Sequence, residues 1–191
     1  MKFRILLVPA LLGCASLAAS ADEVEVNLSN DTAYLQYASP MEYNGYGRTD
    51  LEVGALYTET DDLLGSIGIA MLGEVGSDVP GLSFGLAIKA YAVKLDVADA
   101  TLGAITLGGK ARYSPPSADR FAVLGYVNYA PTITTFGDSE NLMEVGARAE
   151  YEVLPGAAIY IGYREITTDL ENGGPEVKLD DQGHVGLRIS F

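Results

Sequence analysis

The sequence predicts an all-β fold: a transmembrane, antiparallel, up-and-down β-barrel of eight to ten strands, ten being favoured. Three observations carry that expectation. Apolar and polar residues alternate with a period of two along nearly the whole chain after residue 22. The polar set mixes charges of both signs with glycine, and aromatic residues recur at the ends of the apolar sets. The last strand is the clearest case, with Val185, Leu187, Ile189 and Phe191 alternating with His184, Gly186, Arg188 and Ser190.

The chain opens on an export signal, residues 1–21. Lys2 and Arg4 supply the positive end, residues 5–12 the apolar stretch, and Ala19-Ser20-Ala21 an A-x-A cleavage site. Residues 22–191 are then the barrel domain. Leu11-Leu12-Gly13-Cys14 offers an alternative in which Cys14 is lipidated. Cleavage after Ala21 instead removes the single cysteine, and with it any disulfide or thiolate site. It also takes the formal charge from −14 to −16. So acidic a chain lacks the basic surface that nucleic acid requires, and no later stretch reaches the roughly 20 apolar residues of a membrane helix.

Two short N-terminal strands are read from Val24, Val26 and Leu28 and from Ala33, Leu35 and Tyr37. Eight more follow, at residues 50–57, 66–71, 82–89, 105–113, 121–129, 143–151, 159–164 and 183–191. An eight-stranded barrel with an N-terminal hairpin inside or beside it is the alternative, since single-chain bacterial barrels favour even numbers. Short connections are expected at residues 76–81, 114–119 and 154–156, and long polar ones at 131–141 and 167–182. That asymmetry puts the C-terminus at the periplasmic end.

The polar face is assigned to the lumen. It carries Glu52, Lys89, Lys110, Arg112, Glu144, Arg148, Glu150, Arg164 and Arg188 among frequent glycines. Long charged side chains fit a narrow interior only beside small neighbours, and mixed signs let them pair. The aromatics then form two girdles: Phe84, Tyr113, Phe121, Tyr151 and Phe191 at the periplasmic ends, Tyr57, Tyr129 and Tyr163 at the opposite ends. Phe121 and Tyr129 stand roughly 20 Å apart in height once strand tilt is allowed for.

Val185, Leu187, Ile189 and Phe191 resemble the C-terminal signal by which the outer-membrane assembly machinery recognises its substrates. Residues 80–191 are similar to the YfaZ-type family of small outer-membrane proteins. The similarity is carried by Gly109-Lys110-Ala111-Arg112-Tyr113, Tyr126-Val127-Asn128-Tyr129-Ala130-Pro131, Glu144-Val145-Gly146-Ala147-Arg148 and Ile161-Gly162-Tyr163-Arg164. The resemblance implies an outer-membrane barrel and brings no catalytic residue.

Two places carry residue types that can do chemistry. His184, read as a lumen residue near the extracellular rim, is the only histidine, and no serine stands two residues from it. Asp169, Glu171, Glu176, Asp180 and Asp181, with Asp61-Asp62 and Asp138-Ser139-Glu140, make an acidic extracellular rim without the spacing of a calcium loop. No catalysis, metal or cofactor is therefore expected. A small barrel is filled by side chains, so a general porin is not expected either. The expected role is structural, surface-interacting or that of a minor pore, in a monomer. Its expected partners are outer-membrane lipid and lipopolysaccharide, the assembly machinery and periplasmic chaperones. The competing classes are a lipid-acting outer-membrane enzyme and a soluble periplasmic lipocalin-like binder.

Overall fold

The computed structural model describes residues 22–44, 47–76, 79–96, 100–170 and 176–191; the export signal and Cys14 lie outside these. Its strands are β1 (Glu23–Leu28), β2 (Thr32–Asn44), β3 (Gly47–Thr58), β4 (Leu63–Glu74), β5 (Leu82–Leu95), β6 (Ala100–Tyr113), β7 (Phe121–Ala130), β8 (Thr135–Gly137), β9 (Ser139–Leu154), β10 (Ala157–Leu170) and β11 (Glu176–Ser190). Apart from β8, consecutive strands pair antiparallel, β7 with β9, and β1 with β11 closes the ring. The short β8, reached from β7 through a 3-10 turn at Thr132–Thr134, pairs with β6 at Leu102–Ala104, beyond the stretch that β7 covers. β7 and β8 thus share one place in the wall, and the barrel has ten strands.

Both Asp22 and Phe191 lie at one end, joined by the Phe191 N–H donating to the Asp22 carbonyl at 2.9 Å. That is the proximal end of the barrel, and the opposite one is the distal end. Tight proximal turns use positive-φ glycine where a Cβ would strain the backbone, as at Gly81 (φ 83°) and Gly156 (φ 78°).

The strands run further than the alternation of apolar residues suggested. β5 continues to Leu95 and β6 begins at Ala100. The long connection expected at 167–182 is largely strand, because β10 runs to Leu170 and β11 starts at Glu176. The stretch expected as a loop at 131–141 contains β8 and the start of β9. The cause is a reversal of phase. Over the middle of the wall the large apolar residues point outward, among them Ile67, Ile69, Leu86, Ile88, Leu107, Ile161 and Leu187. Towards the distal end they turn inward, and Leu56, Leu64, Val93, Leu95, Leu102, Leu142, Ile166 and Leu179 pack into one buried cluster. A strand that leaves a lipid environment for water has to bury its apolar side chains on the other face.

The interior is therefore layered. An open polar cavity occupies the proximal mouth, charged and tyrosine side chains fill the middle, and the apolar cluster fills the distal end. Glycines make the middle layer physically accessible to large groups. Tyr160 lies across its register partner Gly186, where a Cβ would stand 2.2 Å from the ring. Tyr126 covers Gly146 in the same manner, and Asn128, Lys89 and His184 cover Gly108, Gly68 and Gly162.

Candidate functional site in the barrel lumen

All nine charged residues assigned to the lumen point inward and are buried or half-buried. They are joined by acids and bases that the sequence reading left out: Glu23 and Glu25 on β1, Arg48 and Asp50 on β3, and Asp180 on β11. Each stands at the same parity as the lumen face of its strand, which was the available signal. Asp180 was read instead as part of the acidic rim. It is buried because it keeps the inward parity of His184, Gly186 and Arg188, and a bulge just beyond it, between Ile166 and Thr167 on β10, leaves Leu179 unpaired and turned inward as well.

The charges form a paired network. Glu52 on β3 receives Lys110 Nζ at 2.5 Å and Lys89 Nζ at 3.0 Å. Glu150 on β9 is gripped by three guanidiniums: Arg112 Nη1 at 2.6 Å, Arg148 Nε at 2.7 Å and Arg188 Nη2 at 3.1 Å. Arg148 also reaches Glu25 at 2.5 Å and stacks over the Tyr160 ring at 4.6 Å. Arg188 joins Glu23 at 3.1 Å. Deeper in the barrel, Arg164 pairs with Asp180, and Glu144 accepts from Tyr91 Oη at 2.5 Å and Asn128 Nδ2 at 2.9 Å. Removing charges from water costs several kcal/mol per ion, so the pairing is what makes this filling tolerable.

His184 sits in the middle of the lumen rather than near the rim, because β11 extends eight residues beyond it to Glu176. It is buried, faces Gly162 and meets the Tyr160 ring edge-on at 5.8 Å. No serine lines the cavity it borders, which is about 60 Å³. A Ser–His pair is therefore not formed there.

The acidic residues of the distal end hold turns and neighbouring side chains. Asp62 accepts from the Asp96 N–H at 2.8 Å, Asp138 from the Thr101 N–H at 3.1 Å and Asp31 from Gln182 Nε2 at 2.6 Å. Tyr57 and Tyr163 donate to Asp61 and Asp181. Among the described residues no group of three or more acids, histidines or cysteines is arranged to hold a metal ion. Residues 171–175, including Glu171, lie outside the described residues.

On the outer wall, Phe84, Tyr113, Phe121, Tyr151 and Phe191 are exposed towards the proximal end. Tyr57, Tyr129 and Tyr163 are exposed further along, with an apolar band between the two groups. Val185, Leu187 and Ile189 belong to that band on β11, beside β1. A closed wall with its apolar side chains outside and its charges inside is the architecture of an outer-membrane β-barrel, and that is the class and location of this protein.

The chain matches the YfaZ precursor family over residues 1–191 and belongs to that family. Among curated proteins none matches its sequence. Among solved structures it is similar to KdgM porin, at 10% identity and a TM-score of 0.50, over 90% of this chain and 99% of that one. It also resembles the outer-membrane channel DcaP of Acinetobacter baumannii (11% identity, TM-score 0.45, 88% of this chain and 62% of that one). NanC porin gives 10% identity and a TM-score of 0.45, over 90% of this chain and 98% of that one. At such identities the likeness is one of fold.

Proposed function

We propose that this protein is a closed, monomeric outer-membrane barrel with a structural and surface-interacting role and no catalytic activity. The observation that carries this reading is the distal apolar cluster, in which Leu56, Leu142 and Ile166 are almost wholly buried inside the wall. Beneath it the paired charges leave a cavity of only about 60 Å³. Neither layer offers the continuous aqueous path of wide porins. KdgM and DcaP are a porin and a channel by name; a minor pore here requires displacing the distal cluster.

In this reading the proximal end is periplasmic, and the export signal has been cleaved after Ala21. The two aromatic groups are the membrane girdles, with Val185, Leu187, Ile189 and Phe191 the segment read by the assembly machinery and its periplasmic chaperones. The distal strand ends, with Glu59, Asp61 and Asp181, stand among lipopolysaccharide headgroups. The test is a planar-bilayer recording of the folded barrel, scored for folding by heat-modifiable migration. The expected result is no steady conductance at any voltage; a stable ohmic channel in most insertions overturns closure.

A further inference from the structure

Cations and carboxylates are not evenly presented at the proximal mouth. The cavity there, about 260 Å³, is lined by five cations, Arg48, Lys110, Arg112, Arg148 and Arg188, against three carboxylates, Glu23, Asp50 and Glu52. The pairs are also unequal in depth. Arg112 keeps 28% of its side chain exposed while its partner Glu150 keeps 2%, and Arg48 keeps 32% while Asp50 keeps 17%. Lys110 over Glu52 follows the same order. In these three pairs the carboxylate is the more enclosed member and the cation reaches further towards solvent, while Arg188 and Glu23 are equally exposed.

Spare hydrogen-bonding capacity goes with this exposure. A guanidinium has five N–H donors in a planar fork that matches a pair of oxygens. Arg112 uses Nη1 on Glu150 and Arg48 uses Nε on Asp50. Arg188 Nε, a buried atom, has no acceptor, and this donor lies behind the exposed ones. The walls around these groups include Ala38, Ala70, Leu72 and Leu124, whose low polarity strengthens the attraction for an anion. The cavity narrows into the paired middle layer, so a guest enters and leaves by the proximal mouth.

We infer that this mouth is a binding site for a small oxyanion of two or more charges, a phosphate group or a polycarboxylate. Multiple charge matters because every cation here already has a carboxylate partner, and a guest has to bridge two of them to compete. The site sits in a chain of formal charge −14, so the local inversion of sign is a property of these side chains and not of the whole molecule.

The test is calorimetric titration of the full barrel, folded in zwitterionic micelles, with pyrophosphate and separately with citrate at constant ionic strength. Saturable one-to-one binding of either is expected, and the tighter of the two distinguishes phosphate from carboxylate chemistry. Arg112→Gln and Arg48→Gln are each expected to raise Kd about tenfold, the loss of one charged hydrogen bond. Lys178→Gln, at the distal end, is expected to leave Kd unchanged. Arg48, held only by Asp50 at the rim, carries the test if Arg112→Gln does not give a heat-modifiable barrel. No saturable binding of either anion, or binding that survives both arginine changes or falls equally in Lys178→Gln, overturns the site. Conductance is silent on it, so failure of closure and failure of anion binding are told apart.

Discussion

Arg164 and Asp180 form the most deeply enclosed ion pair among the described residues. Nε and Nη2 both reach Oδ2, at 2.7 and 2.6 Å, and the Tyr34 ring lies 4.5 Å from the guanidinium. Neither side chain keeps more than 2% of its surface exposed. Asp180→Ala leaves that guanidinium buried without its acceptor and is expected to destabilise the barrel by about 3–5 kcal/mol. The double change Arg164→Met with Asp180→Leu is expected to recover most of the loss, since apolar replacement of a buried pair is often neutral. Urea titrations in micelles measure both, and an Asp180→Ala midpoint equal to the parent's refutes the account.

Gly186 and Gly109 separate the two faces of the wall. A Cβ on Gly186 meets the Tyr160 ring at 2.2 Å, whereas one on Gly109 has its nearest neighbour at 3.7 Å. Gly186→Ala is expected to cost about 1–3 kcal/mol through overpacking, and Gly109→Ala almost nothing. Equal unfolding midpoints for the two variants count against a lumen filled by Tyr160.

Leu142 is fully buried in the distal cluster with Leu56 and Ile166 beside it in that layer. Leu142→Ser removes apolar volume and places a hydroxyl there, for an expected loss of about 2–4 kcal/mol. In bilayers it is also expected to produce brief openings that the parent lacks. Unchanged stability together with silence argues that the cluster does not seal the lumen.

His184→Ala tests catalysis directly. Lipid A and phospholipid profiles of cells carrying the variant are expected to match the parent's, because no serine lines the cavity that His184 borders. A change in either profile that tracks the variant rescues the enzyme reading.

Phe191 is largely exposed, and its backbone N–H donates to the Asp22 carbonyl. Phe191→Ser therefore changes few buried contacts and is expected to shift unfolding by less than about 0.5 kcal/mol. If Phe191 belongs to an assembly signal, the same change lowers the amount of heat-modifiable barrel in cells several-fold. Equal cellular yields remove that role.

The order of strands and the identity of the inward face are legible in the alternation itself, because a period of two with charges on one parity has few folded solutions. The number stays between eight and ten because β1 is short. What escaped was the distal third. At Ala90-Tyr91-Ala92-Val93-Lys94-Leu95 the alternation persists, but the apolar parity switches from even to odd positions, so the strand read as ending at Lys89. The same switch hid Leu56, Leu142 and Ile166 as core residues. Asp180 differs: it keeps the even, lumen-facing parity of β11, but it lies in an acidic stretch that reads as a loop because the bulge at Leu179 breaks the alternation beside it. Glu23 and Glu25 share the lumen parity of β1, but six residues are too short an alternation to mark that face by itself.

The seam between β1 and β11 has a kinetic consequence. Its six residue pairs, from Glu23 with Ser190 to Leu28 with Val185, join the two ends of the folded chain. The hydrogen bond from Arg188 to Glu23 alone spans 165 residues. Every other strand of the ring can meet a partner nearby in sequence, β8 finding β6, but the ring stays open until this most distant contact forms. A chain paused before that step carries two bare β edges, the usual templates for aggregation. A protected, unclosed state held until the last strand arrives is thus a requirement set by the topology, independent of what the finished barrel does.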